Sequence, residues 1–210
     1  MFSAIKITPA HASIISSLNL SLTKIKVVII GGEKLDVSQV VSLQKANPGL
    51  RIFNEYGPTE ATVGCTVYEV PPAFSDTVVS IGKPIHNTSV VVLSENLEVL
   101  PIGIRGQIAI GGIGLFEGYL NDDTMKCESL IYLKEQEMMV YLTGDFGSIR
   151  LDGNLDYHGR KGRQVKINGN RVELGEIEAV LLSIATVQDC KVVADHNSIK
   201  GSSILKAFIH

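Results

Sequence analysis

Two glycine-containing strings place groups with ligand chemistry directly after apolar runs. IIGGEKL, at residues 29–35, sets two glycines where the backbone can approach a flat ligand or make a tight turn. NEYGPTEAT, at 54–62, offers an aromatic ring at Tyr56, a hydroxyl at Thr59 and a carboxylate at Glu60. A hydroxyl suits a phosphate oxygen and a carboxylate suits Mg²⁺. The strings therefore predict a phosphate-ligand site, with two plain turns as the alternative.

A third string, at residues 141–178, begins YLTGDFGSIRL and ends VELGEIE. Asp145 follows Thr-Gly, where its carboxylate can accept both hydroxyls of a ribose or can cap a turn. Arg160 follows Gly159, and its planar fork of donors can pair with a phosphate or with a surface carboxylate. The residues alone leave both alternatives open.

The first third of the chain predicts the helices and strands that would position the first two strings. Pro9 can open a helix through residue 18, and Asp36 can cap a second helix that ends before Pro48-Gly49. The apolar runs at 24–30 and 51–56 predict strands. This β-α-β order implies parallel pairing and an α/β layer.

Residues 78–157 predict an all-β sheet or barrel, because Asn, Asp, Gly or Pro interrupts short apolar runs every 8 to 12 residues. The runs are SVVVL, GQIAIGG, MMVYL, GSIRL and LDY. After a boundary rich in Arg, Lys and Gly, Asn168-Gly169 predicts a hairpin turn. A short amphipathic helix is predicted at 176–185, followed by strands at 190–196 and 202–210.

Composition narrows the function classes for these 210 residues. With 19 basic and 22 acidic residues, the net charge of −3 gives no general electrostatic case for a nucleic-acid or anionic-membrane binder. No run approaches 18 apolar residues, and residues 1–20 do not resemble a secretory signal. The three cysteines have no metal or redox spacing, so we expect reduced core thiols in a cytoplasmic protein.

Five strings, in order along the chain, resemble the amino-acid adenylation domains of nonribosomal peptide synthetases, a branch of the adenylate-forming enzymes. GGEKL is similar to the adenine-side segment of that family, and NEYGPTE is nearly its signature in full. GQIAIGGIGLFEGYLN resembles its barrel motif, with Gln107 in place of Glu. YLTGD and GRKGRQVKINGNRVELGEIE complete the set, so that the resemblance covers essentially all 210 residues.

The resemblance implies a mixed α/β fold divided at a hinge. A partial α/β subdomain of the large lobe would take residues 1–77, and a distorted β-barrel subdomain would take 78–158. A hinge at 159–162, with Gly162 as the permissive position, would lead into a truncated small α+β C-terminal lobe at 163–210.

The resemblance also implies a nucleotide site for ATP or AMP. Gly32 and Glu33 would flank the adenine together with Tyr56, and Tyr157 would lie against the nucleotide. Asp145 would hold the ribose hydroxyls.

Three residues would carry the catalytic role. Thr59 would contact the α-phosphate, Glu60 would bind Mg²⁺, and Arg160 would reach the ribose and phosphate. Catalysis would then rest on positioning and charge neutralisation.

Six positions match the family's substrate pocket: Lys6, Ile29, Gly31, Glu55, Val63 and Gly64. The set resembles pockets that accept asparagine, whose side-chain amide hydrogens Glu55 could receive. Aspartate is disfavoured, because its carboxylate would face Glu55 without a shared proton. The alternative is that Lys6 and Glu55 only pair with each other.

The implied activity has two halves. An amino acid and ATP would give aminoacyl-AMP, and the phosphopantetheine thiol of a peptidyl carrier protein would take the aminoacyl group; a condensation domain would lie in the same parent protein. The family's Ser/Thr/Gly/Lys-rich phosphate loop and its catalytic lysine have no match here. We therefore expect a fragment that is inactive in isolation.

Three alternatives remain. An acyl- or aryl-CoA ligase shares the implied fold and chemistry, and a non-catalytic nucleotide-binding fragment would keep only the site. Nucleic-acid binding would use the basic residues Arg160, Lys161, Arg163, Lys166 and Arg171. It is disfavoured because three glutamates follow this stretch and no aromatic residues interleave with it.

Overall fold

The computed structural model describes residues 3–18, 20–119, 129–160, 162, 164–167, 170–197 and 202–210. Its first elements alternate, with β1 at Ala4–Ile7, α1 at Pro9–Ser17, β2 at Val27–Gly31, α2 at Val37–Ala46 and β3 at Arg51–Tyr56. Both predicted helices and the strand at 51–56 are confirmed. The strand predicted at 24–30 begins three residues later and continues to Gly31. The short β1 was not predicted.

Strands β1, β2 and β3 pair in parallel, as the β-α-β order predicts. The sheet continues with antiparallel β4 at Thr66–Val70 and β5 at Lys83–Pro84. Helices α1 and α2 contact each other, and Ala12, Val40 and Leu43 are buried in one cluster with Val28 and Ile52. Because Gly31 is in register with Glu55, the glycine string and the signature string leave the same edge of the sheet.

A second sheet follows, in the strand order β10-β9-β7-β6 with β8 paired to β9. Its strands are β6 at Thr88–Leu93, β7 at Gly106–Gly112, β8 at Leu130–Leu133, β9 at Met138–Ile149 and β10 at Leu155–Arg160. The predicted all-β region is confirmed, but the apolar runs at 138–142 and 147–151 belong largely to one 12-residue strand, β9. The polar segment between them stays in the ladder, so Asp145 lies within a strand and does not cap a turn.

The two sheets meet around Leu155. Its carbonyl accepts hydrogen bonds from the Ile81 amide (2.8 Å) and the Ser80 hydroxyl (2.7 Å). The buried Asn54 side chain of β3 donates to the Ser80 carbonyl at 2.7 Å. A buried apolar cluster that includes Cys65, Ile81 and Leu155 fills the junction. The end of β3 is thereby fixed beside β9 and β10.

The last segment forms the one predicted hairpin, the predicted helix and the two predicted strands, which pair with each other. Strand β11 at Gln164–Ile167 pairs with β12 at Asn170–Glu173, and β13 at Cys190–Asn197 pairs with β14 at Ser202–Ile209. The predicted turn at Asn168-Gly169 lies outside the described residues. Helix α3 runs over Leu174–Leu182, so it begins two residues before the predicted 176 and ends three before 185. Buried Glu178 joins it to β13 by accepting the Val192 amide at 2.7 Å.

Cys65 and Cys190 are buried free thiols, and Cys127 lies outside the described residues. Burial raises the pKa of Cys65 to about 12, so this thiol is protonated at neutral pH. In the part of the chain that the structure describes, no helix is long and apolar enough to cross a membrane.

Candidate active site

The Asp145 carboxylate is the centre of the site. It is only 4% exposed, and it accepts the Tyr56 hydroxyl at 2.6 Å on Oδ2 and Arg160 Nη1 at 3.2 Å on Oδ1. The Tyr157 hydroxyl lies 3.5 Å from Oδ1. Since a carboxylate has about four lone-pair sites, it can still accept a ligand hydroxyl. The structure thus pairs Asp145 with Arg160. From the sequence alone, Asp145 could also have been a turn cap and Arg160 the partner of a surface carboxylate.

Local backbone geometry turns these side chains toward each other. Residues three apart in a strand point to opposite faces, as Tyr157 and Arg160 would in a regular β10. The register shifts between Tyr157 and Gly159, and this bulge places both residues beside Asp145. Gly144 has φ +74°, and a Cβ there would lie 3.4 Å from Arg160 Nη2. That distance is ordinary van der Waals contact, so it is the left-handed backbone conformation, and not space for Arg160, that favours glycine at 144.

A cleft opens next to Asp145. It is lined by Gly32, Glu33, Lys34, Asn54, Glu55, Tyr56, Gly57, Ile81, Asp145 and Tyr157. The rings of Tyr56 and Tyr157 stand 6.1 Å apart at a tilt of 43°. The structure therefore brings five of the predicted nucleotide residues to one cleft, with Arg160 behind it. Thr59 is not among the lining residues.

Burial keeps the two phenols in their donor form. Burial first, and then the nearby charge of Asp145, raises the pKa of Tyr56 well above 10. The same two causes raise the pKa of Tyr157. Both hydroxyls are therefore protonated at neutral pH.

The turn after β3 carries the predicted phosphate and metal residues. Thr59–Ala61 forms a short 3-10 helix in which Thr59 is exposed and Glu60 is 3% exposed. A Cβ on Gly57 would fall 1.7 Å from the Val63 carbonyl oxygen, so only glycine fits there. Tyr119 donates its hydroxyl to Glu60 Oε1 at 2.6 Å.

Glu60 is suited to bind a metal ion that a substrate also ligates. Among the described residues, no group of three His, Cys, Asp or Glu side chains could hold a metal by itself. Mg²⁺ commonly uses one or two carboxylates together with substrate phosphates and water. A single buried carboxylate beside the phosphate-type hydroxyl of Thr59 is compatible with such a shared site.

Three of the six predicted pocket residues lie around the carboxylate of a fourth, Glu55. Lys6 Nζ lies 2.5 Å from Glu55 Oε2, so the alternative in which these residues pair is what the structure contains. A Cβ on Gly64 would lie 2.5 Å from Glu55 Oε1, and one on Gly31 would lie 3.3 Å from Oε2. The two glycines therefore make the space that this carboxylate occupies.

The other two pocket residues lie close by. Ile29 is next to Lys6 in the ladder. Val63 is 53% exposed with φ +66°, a left-handed conformation that is rare for a β-branched residue.

A known protein family and several known proteins match this chain. The family described as AMP-binding enzyme matches residues 3–120, more than half of the chain. The chain belongs to this family. Bacitracin synthase 3 of Bacillus licheniformis is 39% identical over 195 residues, and Tyrocidine synthase 1 of Brevibacillus parabrevis is 35% identical over 192. Each alignment covers 90% of this chain, but only 3% and 17% of those two proteins.

Solved structures confirm the mixed α/β fold class and the resemblance to adenylation domains. Holo-PA1221, an NRPS protein containing adenylation and PCP domains bound to a vinylsulfonamide inhibitor, matches with a TM-score of 0.90 at 26% identity. The Vibrio cholerae adenylation domain AlmE, in complex with glycyl-adenosine-5'-phosphate, matches with 0.88 at 25%. Each match covers 99% of this chain, and the chain spans 36% and 41% of those two chains.

Gly162, the predicted hinge position, has a left-handed backbone conformation. It is exposed, has φ +91°, and a Cβ there would meet no atom within 4 Å. The hinge role stays a prediction, as do the lobe boundaries.

The structure describes only part of the basic stretch considered for nucleic-acid binding. Arg160 is paired with Asp145. Lys161 and Arg163 lie outside the described residues, as do the side chains of Lys166 and Arg171.

Three residues that shape the site were not predicted from the sequence. Gly57 and Gly144 stand inside the Gly-Pro and Thr-Gly-Asp strings, where glycine could signal a close backbone approach, as at Gly57, or a left-handed conformation, as at Gly144. Tyr119 follows Glu60 by 59 residues, and no local pattern joins them.

Proposed function

We propose that this chain forms the adenosine-binding and side-chain-selecting part of an amino-acid adenylation site. The observation that carries the proposal is the buried Asp145 carboxylate, which lies in the cleft with Tyr56 and Tyr157 and is paired with Arg160. Acidic residues accept ribose hydroxyls in nucleotide sites, and rings offer flat faces to a base.

In this proposal the chain positions ATP for in-line attack by the amino-acid carboxylate. The attack forms a bond from the carboxylate oxygen to the α-phosphorus, and pyrophosphate leaves with the electron pair of the broken P–O bond. Asp145 fixes the ribose, Tyr56 and the Gly32 backbone face the adenine, and Arg160 balances the buried charge and reaches the phosphate. Such orientation lowers a barrier without covalent participation by the protein.

Glu60 would hold Mg²⁺ beside Thr59, which would contact the α-phosphate. When bound, the cation neutralises charge that builds up on the phosphate oxygens. Glu60 is suited to this part because its carboxylate is buried and held in place by a hydroxyl.

The Lys6–Glu55 pair supports asparagine as the substrate. A side-chain amide can donate to the carboxylate and accept from the ammonium, so both charges keep a partner. An aspartate carboxylate would lie against the Glu55 carboxylate. Alkyl or aryl acids of CoA ligases would bury this charged pair against an apolar surface, which is costly.

The second half-reaction would pass the aminoacyl group to a carrier protein. The phosphopantetheine thiolate would attack the aminoacyl carbonyl, and AMP would leave. Matches to proteins containing adenylation and PCP domains support this partner. A condensation domain in the same gene product remains a prediction from the resemblance.

The test is ATP–pyrophosphate exchange by the full-length gene product with a panel of amino, aryl and fatty acids. We expect asparagine to give the highest kcat/KM. Exchange with fatty or aryl acids alone would favour the CoA-ligase alternative. AMP binding without any exchange would favour a non-catalytic nucleotide binder. The isolated 210-residue chain is predicted to be inactive in adenylation.

A further inference from the structure

The loop that carries Glu60 is held by the segment that follows β7 of the second sheet, residues 113–119. The Phe116 amide donates to the main-chain oxygen of Glu60 at 2.9 Å. The Tyr119 hydroxyl donates to Oε1 of the same residue at 2.6 Å. Thr62, two positions on, donates its hydroxyl to the Gly114 carbonyl at 2.6 Å. Backbone and side chain of Glu60 are therefore both held from outside the signature string.

Aromatic packing fixes the hydroxyl that meets Glu60. The Phe116 ring meets the Tyr119 ring edge-on at a centroid distance of 5.0 Å, and meets the Tyr141 ring at 5.7 Å and 85°. Tyr141 is 2% exposed within β9. Although Tyr119 is half exposed, one side of its ring packs against Phe116. The hydroxyl is thus directed at Glu60 by contacts that lead back to the rigid sheet.

We propose that Tyr119 is a positioning residue for the Glu60 carboxylate, which it orients for a divalent cation carried by the nucleotide. The inference rests on the proposed function, because it takes Glu60 as the metal ligand. Hydrogen bonds to a ligating carboxylate fix its orientation, and their loss commonly weakens metal binding about 10- to 100-fold. Nothing in the local sequence around Glu60 assigns this role to Tyr119.

The test compares Tyr119→Phe with Tyr132→Phe, a matched control on β8 whose ring is also about half exposed. In the full-length gene product, the affinity for Mn²⁺·ATP is measured by the relaxation enhancement of water protons. The affinity for AMP without metal is measured by calorimetry. We expect Tyr119→Phe to weaken Mn²⁺·ATP binding about tenfold or more and to change AMP affinity less than twofold. Tyr132→Phe should change neither affinity.

Kinetics and a second variant complete the design. For Tyr119→Phe, the Mg²⁺ concentration that gives half-maximal exchange should rise about tenfold, while kcat at saturating Mg²⁺ stays within about twofold. Phe116→Leu keeps the hydroxyl and loosens its support, so its loss of Mn²⁺·ATP affinity should be smaller and in the same direction.

The outcomes separate the two proposals. If wild type and Tyr119→Phe bind Mn²⁺·ATP with equal affinity, the positioning role of Tyr119 is wrong. The proposed function is unaffected by that result as long as the wild-type protein binds AMP. An equal loss of AMP affinity in Tyr119→Phe would also overturn the positioning role, in favour of a merely structural role. A wild-type protein that does not bind AMP would overturn the proposed function itself.

Discussion

Replacing Asp145 with Asn changes the charge at the centre of the site and almost nothing of its shape. The amide can turn its NH₂ group toward Tyr56, whose hydroxyl then accepts, and can keep its oxygen toward Arg160 Nη1. In the opposite orientation, amide and guanidinium donors would meet at 3.2 Å. The better orientation still leaves Arg160, 19% exposed, without its counter-charge.

The expected cost follows from the two hydrogen bonds of 2.6 and 3.2 Å. A hydrogen bond to a charged group contributes about 1.5–3 kcal/mol and a neutral one about 0.5–1.5 kcal/mol. Losing the charge on both bonds should therefore lower the free energy of unfolding by about 2 kcal/mol. For a chain of this size that corresponds to a fall in Tm of about 4–8 °C. The weaker bond to ribose should reduce AMP affinity about tenfold.

Urea denaturation followed by circular dichroism measures the first quantity, and calorimetric titration with AMP measures the second. Asp152→Asn is the matched control, because Asp152 lies exposed in the turn between β9 and β10. If Asp145→Asn unfolds at the same urea concentration as wild type and binds AMP equally well, the proposed nucleotide site is wrong. If only stability falls, Asp145 is a structural ion-pair partner and not a ribose ligand.

Three further predictions concern the tyrosines, the substrate pocket and the buried thiol. Folding raises the pKa values of Tyr56 and Tyr157, so the stability that these phenols contribute is complete below about pH 10 and is lost as the pH rises through their folded pKa values. The urea midpoint of unfolding should therefore fall as the pH is raised, and it should fall less steeply in Tyr56→Phe than in wild type. Equal slopes in the two proteins would contradict this prediction. Gly64→Ala places a Cβ 2.5 Å from Glu55 Oε1 and should displace this carboxylate. We therefore expect kcat/KM for asparagine-dependent exchange to fall at least tenfold, while the affinity for AMP is unchanged. An unchanged kcat/KM would show that Glu55 is not in the substrate pocket. Cys65, 1% exposed with a pKa of about 12, should resist iodoacetamide in the folded state and react in urea, as peptide mass spectrometry can show; labelling of folded protein would refute its burial.

Much of the α/β layer could be predicted because its signals are local. Pro9 and Asp36 mark helix starts, and apolar runs mark the buried strands between them. Gly31 and Glu55 were grouped only through the resemblance to the family's pocket, and the parallel register of β2 and β3 places them side by side. The Lys6–Glu55 contact was an alternative because the resemblance puts both residues in one pocket; β1, which carries Lys6, was not predicted.

The rest of the site depends on information that is not local. The Thr-Gly-Asp segment suggests a turn, yet Thr143 accepts the Asp145 amide and donates to the Ile108 carbonyl of β7, which keeps β9 continuous. The bulge that brings Arg160 opposite Asp145 follows from pairing between strands and has no sequence pattern of its own. Tyr119 meets Glu60 because two loops from different sheets converge.

Asp145 also links the nucleotide site to the junction of the two sheets. Its partner Tyr56 ends β3 of the first sheet, whereas Asp145 and Arg160 belong to β9 and β10 of the second. A ribose bound to this carboxylate would therefore contact a residue that holds both sheets, and a ligand that binds only the folded arrangement stabilises it by mass action. Ligand affinity and the stability of the junction consequently cannot be changed independently at Asp145. Glu55 differs, because its carboxylate contacts Lys6, Gly31 and Gly64, which belong to the first sheet and the loop after β3.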